Sequence, residues 1–176
     1  MPYSFRSARI LARPVAEAHL PEIVAVYAGN RDLLILLDRE YDPLVLAERF
    51  VRRLGAPRGV PPANLHNMIL RDIHSMEAMG LLSLCTGYPG PQVAYVGELF
   101  LRPEFQGAGL GREAYLCLES LLRPGPMRQA RVGVGLRNWN ALRFWLRLGF
   151  SHITGMSGDR HFSPGGHAFL ELQKNL

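Results

Sequence analysis

The sequence predicts one mixed α/β domain spanning residues 1–176. Three features carry this. The chain, at 176 residues, is about one domain long and can bury roughly 70% of its unfolded surface. Hydrophobic residues make up 48% of it and charged residues 20%, an ordinary globular balance that excludes a disordered or collagen-like chain. Apolar residues recur at helical and at strand spacing in turn along the chain, with one glycine-rich turn where a strand gives way to a helix.

Ala8–Arg13 is short and partly apolar, a first strand. Val15–Tyr27 carries Leu20, Ile23, Val24 and Tyr27 at three- and four-residue spacing, a helix ended by Gly29 and Asn30. Leu33–Leu37 fits either helix or strand. Asp42 then Pro43 reads as an N-cap with proline at the first helical position. The helix it opens, Leu44–Leu54, has Leu46, Phe50 and Leu54 on one stripe and Gly55 as its stop. Ala56–Ala63 is rich in proline and glycine and makes a loop. Leu65–Arg71, Ala78–Thr86 and Val93–Arg102 have strand length and pattern, and the turn Gly87–Pro91 joins the last two as a hairpin. After the turn Gln106–Gly111 comes a helix, Arg112–Leu122, with Tyr115, Leu118 and Leu122 inward; Pro124-Gly125-Pro126 breaks it. Arg131–Leu136 alternates, with Val132, Val134 and Leu136 on one face and Arg131, Gly133 and Gly135 on the other. Trp139–Leu148 is a helix with Gly149 as C-cap. Phe150–Met156 and Ala168–Leu172 close the chain as strands around a loop containing Pro164-Gly165-Gly166. The order is βαα, three strands, α, β, α, β, β, with no repeat and no dividing linker.

Composition excludes several functions. No apolar run approaches the ~20 residues of a membrane span, and Met1–Ile10 lacks the apolar core of a secretory signal, so no membrane partner is expected. Cys85 and Cys117 have no CxxC or paired-histidine spacing, so no metal is expected; as buried free thiols they suit the cytoplasm. The net charge is +5, and 20 residues are Lys or Arg, all of them Arg except Lys174. They are scattered without a basic block, which argues against nucleic-acid binding, while a mild positive field suits an anionic cofactor.

The informative stretch is Gly97–Leu116, a strand, a glycine-rich turn and a helix. Gly107, Gly109 and Gly111 permit positive φ and close approach of the backbone. The first N–H groups of the following helix lack internal partners and carry partial positive charge, a site suited to phosphate. A Rossmann fingerprint would need glycine at 112, which is Arg112, and a Walker A loop would need a lysine that is missing. Taken alone, the turn is equally a simple helix start.

Gln106-Gly107-Ala108-Gly109-Leu110-Gly111 matches the Q/R-x-x-G-x-G/A signature of the Gcn5-related N-acetyltransferase (GNAT) superfamily, and Leu99–Phe105 resembles its lead-in strand. Val134–Phe150 resembles the second signature, with Asn138, Ala141, an aromatic at Trp145, and Leu148-Gly149-Phe150. The detailed match runs over Val93–Phe150. The resemblance implies a GNAT acyl-CoA N-acyltransferase fold: a central, mostly antiparallel sheet, splayed at the cofactor site and flanked by about four helices. It implies acetyl-CoA as co-substrate, lying in a V-shaped gap between Val93–Arg102 and Arg131–Leu136. Main-chain groups around Leu99, Phe100 and Leu101 would hold the pantetheine arm, and amides from Gln106 to Gly111 (Gln106, Gly107, Ala108, Gly109, Leu110, Gly111) the diphosphate. Asn138, Ala141 and Trp145 complete the cofactor set, Asn138 serving equally as a helix N-cap. Gly133 and Gly135 leave a bare strand face, either for a close neighbour or for tight helix packing. Arg143 and Arg147 either reach the adenosine 3′-phosphate or form a solvated face.

The implied reaction is direct transfer of acetyl to an amine in a ternary complex. Some group must take the amine proton, and Glu98, in an apolar strand at the matching family position, is the candidate; a rim charge paired with arginine is the alternative. A backbone N–H near Leu99–Leu101 is the expected oxyanion donor. Many members have tyrosine as an acid at the position of Trp145, and indole is no useful acid. Either Tyr95 or Tyr115 replaces it, or the thiol leaves unaided. This departure also keeps open a non-catalytic acyl-CoA-binding or sensing domain. The acceptor, a small cationic molecule or a peptide terminus, would meet Tyr27–Ala63 and Gly155–His167. Asp32, Asp38, Glu40 and Asp42 would attract a cation there, or be balanced by Arg31 and Arg39; Tyr41 and Phe162 would line the pocket. The six histidines show no ligand spacing. A homodimer is compatible with such a fold.

Overall fold

The computed structural model describes residues 3–37, 41–161 and 163–176; Asp38, Arg39, Glu40 and Phe162 lie outside them. The strands are β1 (Phe5–Arg6), β2 (Ile10–Pro14), β3 (Leu65–Asp72), β4 (Ala78–Thr86), β5 (Val93–Leu101), β6 (Gln129–Gly135), β7 (His152–Gly158) and β8 (Ala168–Asn175). The helices are α1 (Leu20–Gly29), α2 (Arg31–Leu37), α3 (Pro43–Val51), α4 (Leu110–Leu122) and α5 (Trp139–Arg147). The strands form one sheet in the order β1-β2-β3-β4-β5-β6-β8-β7. All neighbours are antiparallel except β5 and β6, which are parallel because α4 carries the chain back between them. The described helices number five, one more than the sequence pattern predicts.

The sheet separates two cores. On one face α1–α3 bury Ile23, Val26, Tyr27, Leu34 and Phe50 against Ile69 and Leu81. On the other, α4 and α5 bury Leu118, Leu122, Trp145 and Leu148 against Met68, Leu82, Val96 and Val132. With both faces covered, β4 is buried along almost its whole length, and so is the middle of β3, Asn67–Leu70, rather than alternating. Buried Glu119 on α4 accepts hydrogen bonds from Arg123 and from Lys174 on β8, and Lys174 also donates to the Leu148 carbonyl. Burial alone would raise the Glu119 carboxyl; the bonds from Lys174 and Arg123 hold it below its ordinary range instead.

Several predicted boundaries move for local reasons. The helix expected from Val15 starts at Leu20 after a short 3-10 turn, with Pro21 in its first turn. Leu33–Leu37, open in the sequence, is helical in α2. Asp42 caps α3 as its pattern indicates, but α3 ends at Val51, since Arg53 takes a φ of 57° and Leu54 stays exposed. Phe150 is a core residue rather than a strand start. The strand expected at Ala8–Arg13 is β2, Ile10–Pro14, and β1 adds a two-residue edge pairing that the sequence did not signal.

One irregularity positions the site. Ser83 pairs with Glu98 while Leu84 pairs with Val96, leaving Gly97 as an extra residue on β5. Such a bulge shifts the alternation of faces by one. Ala94, Val96, Leu99 and Leu101 therefore all contact the α4–α5 core, and Phe100 packs on the α1–α3 side. Without the bulge Glu98 would share a face with Val96.

The β4–β5 pair also depends on Gly80, where an added Cβ would lie 2.2 Å from the Phe100 carbonyl oxygen and 2.7 Å from Leu101 Cδ2. Both neighbours belong to a packed strand and have little freedom to yield. Gly80→Ala is expected to destabilise the fold by about 1–3 kcal/mol, read as a lower Tm and urea midpoint.

Candidate active site

The parallel pairing of β5 and β6 runs only from Val93↔Gln129 to Val96↔Val132. Beyond it β5 continues to Leu101 on β4, and β6 to Gly135 on β8. The inner edges of the two strands thus diverge, and their main-chain groups there have no strand partner. Gly97 and Gly133, on the two sides of the opening, are exposed. The space over Gly133 is taken by the Tyr95 hydroxyl, 2.7 Å from where a Cβ would be, and that over Gly135 by Leu37 of α2 at 2.8 Å. The bare face of β6 thus receives a phenol and a helix side chain, the tight-packing alternative of the sequence reading.

β5 runs into a 3-10 turn, Pro103–Phe105, and then the glycine turn. Gln106 braces this turn. Its side-chain amide donates to the Leu101 carbonyl at 2.7 Å and to Asn30 Oδ1 at 3.4 Å, and its backbone N–H donates to Pro103 at 3.1 Å. Gly107 and Gly109 have φ of 79° and 80°, the left-handed region that glycine tolerates. Gly109 is the N-cap of α4 with no side-chain cap. Among the described residues, no acceptor engages the backbone N–H groups of Gly107, Ala108, Gly109, Leu110 or Gly111. These five donors at the positive end of a 13-residue helix fit a diphosphate. The Phe144 ring lies 3.5 Å from where a Gly111 Cβ would be, so α5 abuts the first turn of α4.

Cations meet this turn from a direction the sequence did not single out. Arg9, ahead of β2, donates to the Ala108 carbonyl at 3.0 Å and pairs with Glu113 at 2.6 Å. With Arg6 and Arg112 it lines a cleft of about 570 Å³ beside Gly109, floored by Leu116 and Cys117. Arg143 and Arg147 are exposed on α5 and line no part of this cleft.

Glu98 lies on β5 beside the opening and is half-buried. Its Oε2 accepts a hydrogen bond of 2.7 Å from the Tyr27 hydroxyl on α1. Burial raises the Glu98 carboxyl above its ordinary range, against smaller lowering effects of the Tyr27 bond and the Arg49 charge. Tyr27 is pushed far up by its own burial and by the Glu98 charge, so it stays a donor. No arginine pairs with Glu98 among the described residues, which disfavours the rim-charge alternative. Beneath it, Ser83 donates to Asn67 Oδ1 at 2.8 Å, and Asn67 donates to the Phe50 carbonyl at 2.6 Å. The sequence marked Tyr27 as a helix-stripe residue and as the start of the acceptor-side segment, without linking it to Glu98, because the two are 71 positions apart.

The remaining expected residues divide. Leu99 and Leu101 stand where β5 has left β6, and Gln106–Gly111 follow directly. The Phe100 ring turns away onto Tyr27, centroids 6.3 Å apart. Asn138 caps α5, its Oδ1 accepting from the Ala141 N–H at 3.0 Å, and Ala141 packs on the core. Trp145 is 5% exposed, enclosed by Tyr115, Phe144 and Phe150 at centroid distances of 5.5, 4.9 and 5.0 Å. Burial drives the Tyr115 hydroxyl up, reinforced by Glu119, and Tyr95 is pushed up to about 12, chiefly by burial, so neither phenol is a ready acid. Asp42 is spent as a cap on Leu44 and Val45, and Asp32 sits near Arg31. Among the described residues no three His, Cys, Asp or Glu side chains group as a metal site, and no helix is long and apolar enough to cross a membrane.

Residues 39–150 match the model of the Acetyltransferase (GNAT) family. No curated protein sequence matches this chain significantly. Among solved structures, an acetyltransferase from Thermus thermophilus is 21% identical, with TM-score 0.70 over 98% of this chain and 100% of its own. A Salmonella typhimurium acetyl transferase that modifies the N-terminal serine of ribosomal protein L7/L12 is 19% identical, with TM-score 0.75 over 97% and 96%. The spermidine N-acetyltransferase from Vibrio cholerae, in complex with CoA and spermine, is 15% identical, with TM-score 0.72 over 96% of both chains. The diverging strands, the glycine turn with its free amides and the family match together place this chain in the GNAT family, as an acetyltransferase that uses acetyl-CoA.

Proposed function

We propose that the chain works as one domain that transfers acetyl directly, in a ternary complex, to the primary amine of a small cationic molecule or a protein terminus, with Glu98 as general base. The observation that carries this is the Glu98 carboxylate, held by Tyr27 at the point where β5 parts from β6. Both acceptor classes occur among the relatives above, one crystallised with spermine and one named for an N-terminal serine. The two free cysteines suit a reducing, cytoplasmic setting.

Acetyl-CoA, when bound, supplies an acetyl thioester whose thiol, with a pKa of ~8.5, is a fair leaving group without an acid. The amides of Gly107–Gly111 hold its diphosphate, and the unpaired main-chain edge at Leu99–Leu101 its pantetheine arm. The Asn138 carboxamide nitrogen is left for that arm while its oxygen caps α5. An amine at neutral pH is mostly ammonium and has no lone pair to attack with. Glu98 takes that proton, and a carboxylate whose pKa lies above the ordinary range is better matched to the task. No acid is required of Trp145, which serves packing.

Glu98→Gln is expected to leave acetyl-CoA affinity unchanged by calorimetry and to slow CoA release by ~10²-fold or more across a panel of aminoglycosides, polyamines, amino acids and short peptides. An unchanged rate removes Glu98 from the mechanism. The same variant tests the burial. A carboxyl whose folded pKa is raised contributes stability below the unfolded pKa and loses it as pH rises through the folded value. Glu98→Gln should therefore melt above wild type at pH 7, and the gap should close near pH 4. Trp145→Phe should keep most turnover and lose some thermal stability; a collapse of kcat in a folded, acetyl-CoA-binding variant would assign the indole a chemical role.

A further inference from the structure

We propose that Tyr27 is a positioning residue for acetyl transfer: its phenol holds one oxygen of the Glu98 carboxylate from the α1 side and leaves the other to accept the amine proton. The inference rests on the reading of Glu98 as the base. Tyr27 stands in the C-terminal half of α1 and is 2% exposed. Its ring meets Phe50 of α3 and Phe100 of β5 edge-on, at centroid distances of 6.2 and 6.3 Å. Its hydroxyl donates to Glu98 Oε2 at 2.7 Å, and no other donor among the described residues reaches that carboxylate. Two aromatic walls leave the phenol little freedom to swing away. A glutamate side chain with three soft torsions is thereby reduced to one arrangement, which is the geometric requirement for a proton acceptor beside a bound reactant.

The electrostatic surroundings leave few other groups to do this. From α3 the charge acting on Glu98 is Arg49. From β4 the residue opposite is Ser83, uncharged and occupied with Asn67. β6 carries glycines at 133 and 135, and the Tyr95 hydroxyl of β5 lies over Gly133. Tyr27 remains protonated because burial and the Glu98 charge both hold its proton on. Its backbone carbonyl accepts from the Tyr41 hydroxyl at 3.3 Å. Tyr41 precedes α3, so the acceptor-side connection is tied to the base through this one residue.

The test is a carbon-13 NMR titration of the Glu98 side-chain carboxyl, assigned by its loss in Glu98→Gln, in wild type and Tyr27→Phe. Losing a hydrogen bond that favours the charged form should move the Glu98 titration up by about one unit. The acid limb of kcat, with an amine the panel identifies, should move with it, while the KM for acetyl-CoA stays put. Fluorotyrosine at position 27, a stronger donor of nearly the same volume, should move the titration down, and it decides the matter where Tyr27→Phe does not fold. A titration unchanged in both variants overturns the positioning role, as does a shifted titration with an unmoved kcat profile. Full turnover in Glu98→Gln overturns the base reading instead, whatever Tyr27 does.

Discussion

Everything at the centre of this molecule follows from where two parallel strands stop pairing. β5 and β6 share four residue pairs, Val93–Val96 with Gln129–Val132, and then diverge. A sheet interior does not ordinarily leave main-chain donors and acceptors without partners, since each such group costs free energy when kept from water or another partner. The divergence is tolerated because each strand stays anchored on its outer side, β5 on β4 and β6 on β8. The opening is thus an intrinsic edge inside the sheet, able to receive an extended molecule as a further strand. The topology makes it possible. The parallel crossover through α4 sets the helix N-terminus at the mouth of the same opening, and β8 inserts between β6 and β7 to hold β6 in place.

A buried and a half-buried carboxylate show how the surroundings choose opposite outcomes for one chemical group. Glu119 is met by Arg123 and by the only lysine of the chain, and the pair of cations outweighs the penalty of burial. It ties α4 to β8 and to the end of α5. Glu98 receives one phenol and the more remote charge of Arg49, and burial wins. The first arrangement stabilises a charge that never needs to change. The second leaves a carboxylate only partly compensated, at a cost in stability, and so keeps it ready to take up a proton.

The glycine turn and its surroundings divide labour in a similar way. Gln106 spends its side chain and its own amide on the turn itself, so its N–H is not among the unpaired ones. Arg9 fastens the turn to the β2 side of the sheet through Ala108 and Glu113. What remains unspent are the five amides from Gly107 to Gly111, whose alignment comes from two glycines at positive φ and from α4 behind them.

The sequence by itself determined what depends on neighbours a few residues apart. The glycine turn, the Asp42 cap, most of the strands and helices, and the two family signatures are local patterns, and each is present in the structure. The Asn138 cap is as well, at a spacing of three residues to Ala141. Glu98 stood out because a carboxylate within an apolar strand is locally anomalous. Tertiary structure alone decided the rest. Tyr27 and Glu98 are 71 positions apart, and Arg9 and Glu113 are 104 apart, so no spacing rule connects them. The bulge at Gly97, which turns Glu98 to the α1 side, exists only as a mismatch in pairing between β4 and β5. Trp145 matched the family pattern by position yet sits in an aromatic core, because what encloses a side chain is set by elements brought together from across the chain. Local propensity acts through a residue's own neighbours in sequence, whereas burial, strand register and the pKa of Glu98 are properties of the assembled sheet and its two helical layers.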